Sequence, residues 1–494
     1  MIVYPFFVDK MKQIIHYIFI GVALLCVACS KDDRFTTDRG SVLTFSTDSI
    51  LFDTVFSTIG SSTKRFMVYN NNGDNLRIKN VAFRSGGTNG FRLNLDGQFG
   101  TSFTDVELQK NDSLFCFVEV TVNPQDKDNP VLIDDQIIFT LESGVRQAVN
   151  LQAYGQDVII LKNHKITADE TFTANRPYLI YNELTIDSLV TLTIDPGATL
   201  CFHANGSINC YGTIHADGQQ EAITFRGDRL DRMFAYLPYD HLDNQWLGIT
   251  LNLQSHDNYF RNVDIHSGAW GIAAIDTTTT KSKLEMHRCT VHNVGGNGLQ
   301  LTFCKSLITN TQISNCRGEC VTVTGGNHQF LFCTIAQFCP WIAERGKGLY
   351  FTNIKQNVNN GQAEYMPLEV LDLTNCLVTG YADDEVTGAP WTGMENFTPV
   401  FNFHFTNCLL KTSNWQGYES FFTDCAYQDN SLEPTALFRT IDTENFIYDF
   451  RLTEGSAARG KGSNTGNLLN TYPTDRLGIQ RNPDYIDAGC YQFQ

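Results

Sequence analysis

Between residues 38 and 157, apolar and polar positions alternate in short stretches. Among them are Val42-Leu43-Thr44-Phe45, Arg65-Phe66-Met67-Val68-Tyr69, Phe115-Cys116-Phe117-Val118-Glu119-Val120 and Gln136-Ile137-Ile138-Phe139-Thr140, with Asn, Gly, Asp and Pro clusters between them. Alternation with period two turns one face of each strand to a core and the other to water, so this segment predicts an antiparallel β-sandwich with frequent turns. From about 158 to 430 the pattern changes. Thr191-Leu192-Thr193-Ile194, followed by Ile208-Asn209-Cys210-Tyr211-Gly212-Thr213-Ile214, opens a series in which Ile265, Val291, Ile313, Ile335, Val378 and Leu410 stand in matching contexts. Their successive intervals are 26, 22, 22, 43 and 32 residues. A basic period near 22, doubled once and lengthened elsewhere by insertions, predicts a solenoid whose coils bury their apolar faces against one another.

The register of that solenoid assigns many of the cysteines. Cys289, Thr311, Cys333, Cys376 and Cys408 each precede a ladder aliphatic by two residues, which on a strand points both inward. These cysteines are expected as small core residues stacked coil on coil. Cys316-x3-Cys320 and Cys333-x5-Cys339 then fall on separate strands and turns, not on a zinc knuckle. Just before the ladder stand Arg288, Asn310, Phe332, Asn375 and Asn407, a turn position where stacked asparagines satisfy backbone groups. A second ladder is expected at Ile272, Leu299, Val321 and Ala343. Insertions at 227–245, 276–282, 355–368 and 381–400 are all expected after this second strand, so that they project from one corner and mark the side carrying a cleft.

The solenoid as a whole resembles the right-handed parallel β-helices of the pectate-lyase and polygalacturonase superfamily. In the N-terminal segment, the order Phe52-Asp53-Thr54-Val55, Val68-Tyr69-Asn70-Asn71, Leu76-Arg77-Ile78 and Asp135-Gln136-Ile137-Ile138-Phe139 resembles immunoglobulin-like domains of the Hydin and abnormal-spindle kind. That resemblance implies a spacer or binding module. Beyond 430, Asp449-Phe450-Arg451-Leu452, Asp475-Arg476-Leu477-Gly478-Ile479-Gln480-Arg481 and Tyr485-Ile486-Asp487-Ala488-Gly489-Cys490 resemble the closing segment of bacterial surface β-helix proteins, which implies a cap on an open coil edge. The expected fold class is all-β: an immunoglobulin-like sandwich (38–157), a right-handed parallel β-helix (158–430) and a C-terminal cap (431–494).

Ahead of these lie Met11-Lys12, an apolar run over 14–27 broken only by His16 and Gly21, and Ala28-Cys29. They supply the basic start, apolar core and small residue of a signal peptide (1–28), and the run is shorter than the ~20 residues a spanning helix needs. With Cys29 at the junction the segment resembles a lipobox, although Cys26 stands where leucine is usual. The resemblance implies acylation of Cys29, with 29–37 as a lipidated linker and an acyl lipid as membrane partner. Ser30-Lys31-Asp32-Asp33 resembles the signal that sends Bacteroidota-type lipoproteins to the surface of the outer membrane. Because Pro5, Phe6 and Asp9 precede a normal signal start, translation is expected to begin at Met11.

Composition narrows the function. The chain has 494 residues, 42% hydrophobic and 18% charged, which suits a folded body of two or more units. A formal charge of −17 argues against nucleic acid, whose phosphates need a basic stripe. Of 15 cysteines, setting aside Cys26 and Cys29 leaves 13, an odd number in a chain too large to need disulfide staples.

Three features carry candidate chemistry. The insertion at 227–245 brings together Asp228, Arg229, Asp231, Tyr236 and Tyr239 and ends at Trp246. Rings stack on the apolar faces of sugars while charged forks bind hydroxyls or carboxylates, and a self-packed Ω-loop with internal Arg–Asp pairs is the competing reading. The register turns Asp264, His266 and His292 outward together, ~5–7 Å apart, where they would move a proton or hold a metal, or be polar residues of an exposed strand. Trp270, Trp341, Glu344 and Arg345 gather beside the insertion corner. Glu319 and Glu344 would lie ~11 Å apart, beyond the roughly 6.5–9.5 Å of an inverting carboxylate pair. The sequence therefore points to a surface lipoprotein that binds glycan or another surface ligand without catalysis, and no metal is assigned. The alternatives are a polysaccharide lyase or glycoside hydrolase using Asp264, His266 and His292 or the 227–245 loop, with calcium only in the lyase case, and a structural role in the envelope.

Overall fold

The computed structural model describes residues 34–340, 342–356, 362–391, 397–413, 415, 417–433 and 436–494. The signal segment, Cys29 and Trp341 lie outside the described residues. Two compact units are present, one formed up to Asn123 with Leu132–Tyr154, the other by Pro124–Val131 with Gly155–Gln494.

In the first unit the alternating segment forms two five-stranded sheets. One runs in the order Thr44–Phe45, Lys64–Tyr69, Ser113–Val120, Phe91–Leu95, Gln98–Gly100, the other Ser49–Phe56, Arg146–Gln156, Val131–Leu141, Leu76–Phe83, Ser102–Leu108. Every second residue enters the shared core, as Phe66 and Val68 do from one sheet and Ile137 and Phe139 from the other.

The second unit is a parallel β-helix with three strands per coil. In one coil these are Leu284–His287, Thr290–Val294 and Leu299–Thr302, and each pairs in parallel with its counterpart in the next coil. The first strands build a ten-stranded sheet, and the second and third strands share an eighteen-stranded one. The aliphatic ladder has the predicted register, Ile265 opposite Val291, then Ile313, Ile335, Val378 and Leu410. The second ladder differs at one position. Ile272, Leu299 and Val321 are followed by Leu349, not Ala343, because a longer connection after Gln337 postpones the third strand to Leu349–Thr352.

The turn between first and second strands explains both stacked positions. Asn262, Arg288, Asn310, Phe332, Asn375 and Asn407 all have left-handed backbones, with φ between 47° and 57°. A left-handed residue turns the chain sharply, and asparagine tolerates that conformation best among non-glycine residues. The following N–H is aimed along the stack, where the next coil supplies an acceptor: Cys289 donates to Thr311 Oγ1, Cys333 to Cys376 Sγ and Cys376 to Cys408 Sγ. These cysteines are fully buried, and burial pushes the Cys289 thiol up to about 12. The asparagine side chains at Asn310 and Asn375 also hold the closing segment, Asn310 through Arg481 at 2.7 Å and Asn375 through Ser463 at 2.7 and 2.8 Å.

That closing segment lies along the flank of successive coils. Arg288 donates to the Arg476 carbonyl, Tyr491 to Gln312, and the Cys490 N–H to Thr334, while the Arg481 guanidinium lies 4.0 Å from the Phe332 ring centroid. Ala336, Leu377 and Leu409, which face out of the coil, are buried beneath it with Phe450 and Tyr491. Aromatic side chains fill the last coil, with Phe421 stacked on Phe403 at 4.7 Å and Trp415 on Phe351 at 5.8 Å.

In the native protein a maleimide is expected to leave Cys289, Cys333, Cys376 and Cys408 unmodified and to label all four after guanidinium unfolding. Peptide mass spectrometry reads the difference, and labelling of the native ladder would contradict the packing described.

Candidate functional site

The insertions do not share one corner. The 227–245 insertion leaves the second strand Ile223–Gly227 and returns at the third, Gly248–Leu251, whereas 276–282 and 355–368 follow third strands. The 381–400 stretch itself contains the third strand Val386–Ala389. The expected single insertion side is thus corrected to two corners. Trp246-Leu247-Gly248-Ile249 leads into a third strand, and the opening coils lack the contexts that would show this from sequence.

Within the first insertion, Arg232–Phe234 and Leu237–Pro238 pair as an antiparallel hairpin, followed by a 3-10 turn at Tyr239–His241. Buried Leu237 anchors it, and Arg317 pairs with Asp243 at its base. Most of the predicted ligand residues satisfy one another. Arg229 makes two 2.7 Å bonds to Asp231 and lies 3.8 Å from the Tyr239 ring centroid, and Asp228 meets His203 Nδ1 at 2.6 Å. Trp246, expected as an exposed platform, is 1% exposed. Its indole stacks on Phe202 at 4.2 Å and donates to the His266 carbonyl at 2.8 Å, so it belongs to the coil core. Tyr236 remains outside. With Phe234 and Phe446 it forms a strip of near-parallel rings, centroids 5.7 and 6.4 Å apart, and Phe234 and Tyr236 are about half exposed.

Beneath the hairpin lies the polar cluster. Asp264 and His266 alternate onto the outer face of Val263–His266, and His292 stands opposite His266 one coil on. The side chains are closer than the strand spacing alone requires: Asp264 Oδ1 is 3.0 Å from His266 Nδ1 and 3.1 Å from His292 Nε2. The hairpin adds Asp240, whose Oδ1 is 2.7 Å from His266 Nε2 and 2.9 Å from Arg226 Nη2. His266 is therefore buried, not part of an exposed strand, because the hairpin roofs it. Burial opposes charge on this ring, yet Asp264 and Asp240 outweigh it and raise His266 to about 9. Burial likewise opposes ionisation of Asp264, but His292 and His266 hold its carboxyl well below the usual range. At neutral pH His266 is an imidazolium donating both protons, which leaves it no lone pair with which to act as a general base.

No family model matches the chain, and no curated protein matches it. Among solved structures, it is similar to a family 123 glycoside hydrolase from Clostridium perfringens, 7% identical over 25% of this chain and 30% of that one, with a TM-score of 0.18. A protein of unknown function from Porphyromonas gingivalis is 16% identical over 26% of this chain and 60% of its own, with a TM-score of 0.18. The PapD-like domain 7 of human CEP192 is 11% identical, covering 26% of this chain and 94% of its own, with a TM-score of 0.17. The chain spans less than a third of the length of the first of these. At such scores none of these likenesses bears on function.

The remaining predicted residues lie elsewhere on the second-to-third-strand corner. Trp270 packs over Gly248, where an added Cβ would meet the Trp270 carbonyl at 2.4 Å, and donates to the Ile249 carbonyl. Glu344 is exposed and Arg345 lies over the Tyr381 ring at 4.8 Å. Near the end of the coil a cleft of about 310 Å³ is lined by Asp384, Thr387, Phe401, Trp415 and Tyr418. Sequence reasoning passed over it because Phe401 falls in a connection between ladder positions and Trp415 and Tyr418 follow the last of them, Leu410.

Arg317→Ala is expected to leave the coil intact while loosening the hairpin by about 1–2 kcal/mol, because Asp243 keeps its buried charge and loses its partner. Limited proteolysis within 228–242 should then run roughly five- to thirtyfold faster than in the wild type, with an unchanged far-ultraviolet spectrum.

Proposed function

We propose that this protein is a lipid-anchored cell-surface glycan-binding protein, held to the outer membrane through Cys29, in which the β-helix presents an aromatic strip to polysaccharide. The observation that carries the reading is the strip itself, the half-exposed Phe234 and Tyr236 rings aligned with Phe446 on a hairpin braced from below. Aromatic faces exposed in a row stack on the C–H faces of consecutive sugars, and bracing lowers the ordering cost of binding. Exposed large apolar side chains in one place, Met233 and Ile447 beside the rings, also mark a surface selected for contact. A non-catalytic role fits the cluster beneath, where both ring nitrogens of His266 are committed to carboxylates. The anchor rests on the Ala28-Cys29 junction and the apolar run before it.

Retention on immobilised neutral and uronic polysaccharides tests the binding role. Tyr236→Ala and Phe234→Ala are each expected to weaken retention about five- to tenfold, near 1–1.4 kcal/mol per ring, while Tyr154→Ala on the sandwich leaves it unchanged. Equal retention in all three variants would sink the assignment to the strip, and release of new chain ends would replace it with an enzyme. For the anchor, Cys29→Ser is expected to abolish incorporation of labelled fatty acid; undiminished labelling would remove the lipoprotein reading.

A further inference from the structure

We infer that His266, His292 and Asp264 form a binding centre for a divalent first-row transition ion, with Asp240 as the outer carboxylate that orients His266. One candidate ligand atom from each of His266, His292 and Asp264 lies within 4.8 Å of the other two. The carboxylate oxygen sits 3.0 and 3.1 Å from the two nitrogens. Two donors each about 2.1 Å from one ion stand about 3.0 Å apart at a right angle and about 3.4 Å apart at the tetrahedral angle. Asp264 is thus already spaced from each histidine as a co-ligand would be. A rotation of the partly exposed His292 ring closes the remaining nitrogen-to-nitrogen gap.

What surrounds these atoms is also what a metal site requires. The far nitrogen of His266 meets Asp240 at 2.7 Å, and Asp240 is itself held by Arg226 at 2.9 Å. A ligating imidazole is ordinarily fixed by such a carboxylate, which sets its tautomer and aims its free lone pair. Ligands carried on adjacent hydrogen-bonded strands are held more rigidly than ligands on loops. The Asp264 and His292 side chains are 34% and 23% exposed, so an ion there keeps open positions towards solvent. A further imidazole, His241, follows Asp240 in the 3-10 turn. Its Nδ1 is buried and has no hydrogen-bond partner among the described residues.

The donor set selects the ion. Two imidazoles and one carboxylate suit zinc, iron and their neighbours, whereas calcium and magnesium take oxygen ligands. On binding, the ion takes the place of the protons that face Asp264 on His266 Nδ1 and His292 Nε2; the His266 proton leaves to the solvent, and His292 keeps a single proton, on Nδ1. Asp240 keeps its hydrogen bond to Nε2. The centre does not depend on what the aromatic strip binds.

Zinc is the probe. The untagged protein, dialysed against chelator, is titrated with zinc and with calcium by calorimetry, and bound metal is counted by elemental mass spectrometry. One equivalent of zinc and no calcium is the expected result. His292→Ala and Asp264→Asn should lose the zinc, and Asp240→Asn should bind it ten- to a hundredfold more weakly. Cobalt gives an independent readout, since its visible absorption reports nitrogen and oxygen donors and should vanish in His292→Ala. If Asp264→Asn fails to fold, His292→Ala, altered at a partly exposed ring, carries the test with its near-ultraviolet spectrum as control. Less than a fifth of an equivalent of zinc in the wild type, or a full equivalent held with unchanged affinity by His292→Ala, overturns the inference.

Discussion

A parallel coil can stack only if every turn delivers the chain to the same place one strand spacing further on. In this molecule that requirement is met by the single left-handed residue before each second strand, from Asn262 through Arg288, Asn310, Phe332 and Asn375 to Asn407. Because the conformation is the same each time, the backbone N–H of one turn residue reaches a carbonyl of the next coil: Arg288 to Thr309, Asn310 to Leu331, Phe332 to Thr374, Asn375 to Thr406. From Arg288 on, cysteine or threonine follows it, small enough to lie inside the bend and, at Thr311, Cys376 and Cys408, accepting the N–H of the preceding coil. Strained residues normally cost stability, but a strain repeated in register is met by the same hydrogen bond each time.

The polar cluster depends on that register. His266 and His292 meet because their strands are aligned residue for residue, and Asp264 lies beside both because alternation returns the chain to the same face two residues earlier. The hairpin then changes the character of the site. Asp240 arrives from 26 residues away, closes over His266 and buries that ring within a partly exposed arrangement of two carboxylates and two cations, counting Arg226. Charges are buried at tolerable cost only when paired and hydrogen-bonded, and here each one is.

Particular residues show how far this was legible in the sequence. The ladder from Ile265 to Leu410 could be read because each member sits in the same short context, and the meeting of Asp264, His266 and His292 followed from it. Ala343 misled because Ile342-Ala343 lies one period after Val321, while the connection before Leu349 is longer than its predecessors. Trp246 misled because a tryptophan beside a polar loop fits a core position as well as a platform, and only three-dimensional packing on Phe202 decides between them. Asp240 carried no periodic signal, since the conformation of a loop, and not its spacing, selects its partner. The asparagine positions were located correctly, but the Asn310 and Asn375 side chains also serve the closing segment, whose path along the flank no local pattern reveals.

That path has a consequence for how the chain comes to be folded. Arg476 reaches back 188 residues to Arg288 and Tyr491 reaches back 179 to Gln312, so the middle coils are sealed by a segment far downstream of them in the chain. Coils propagate locally, each on the one before, but Ala336, Leu377 and Leu409 stay open to water until the closing segment docks. A partly folded chain therefore presents a growing apolar seam to its surroundings, and docking of the closing segment is itself the step that closes the surface against aggregation.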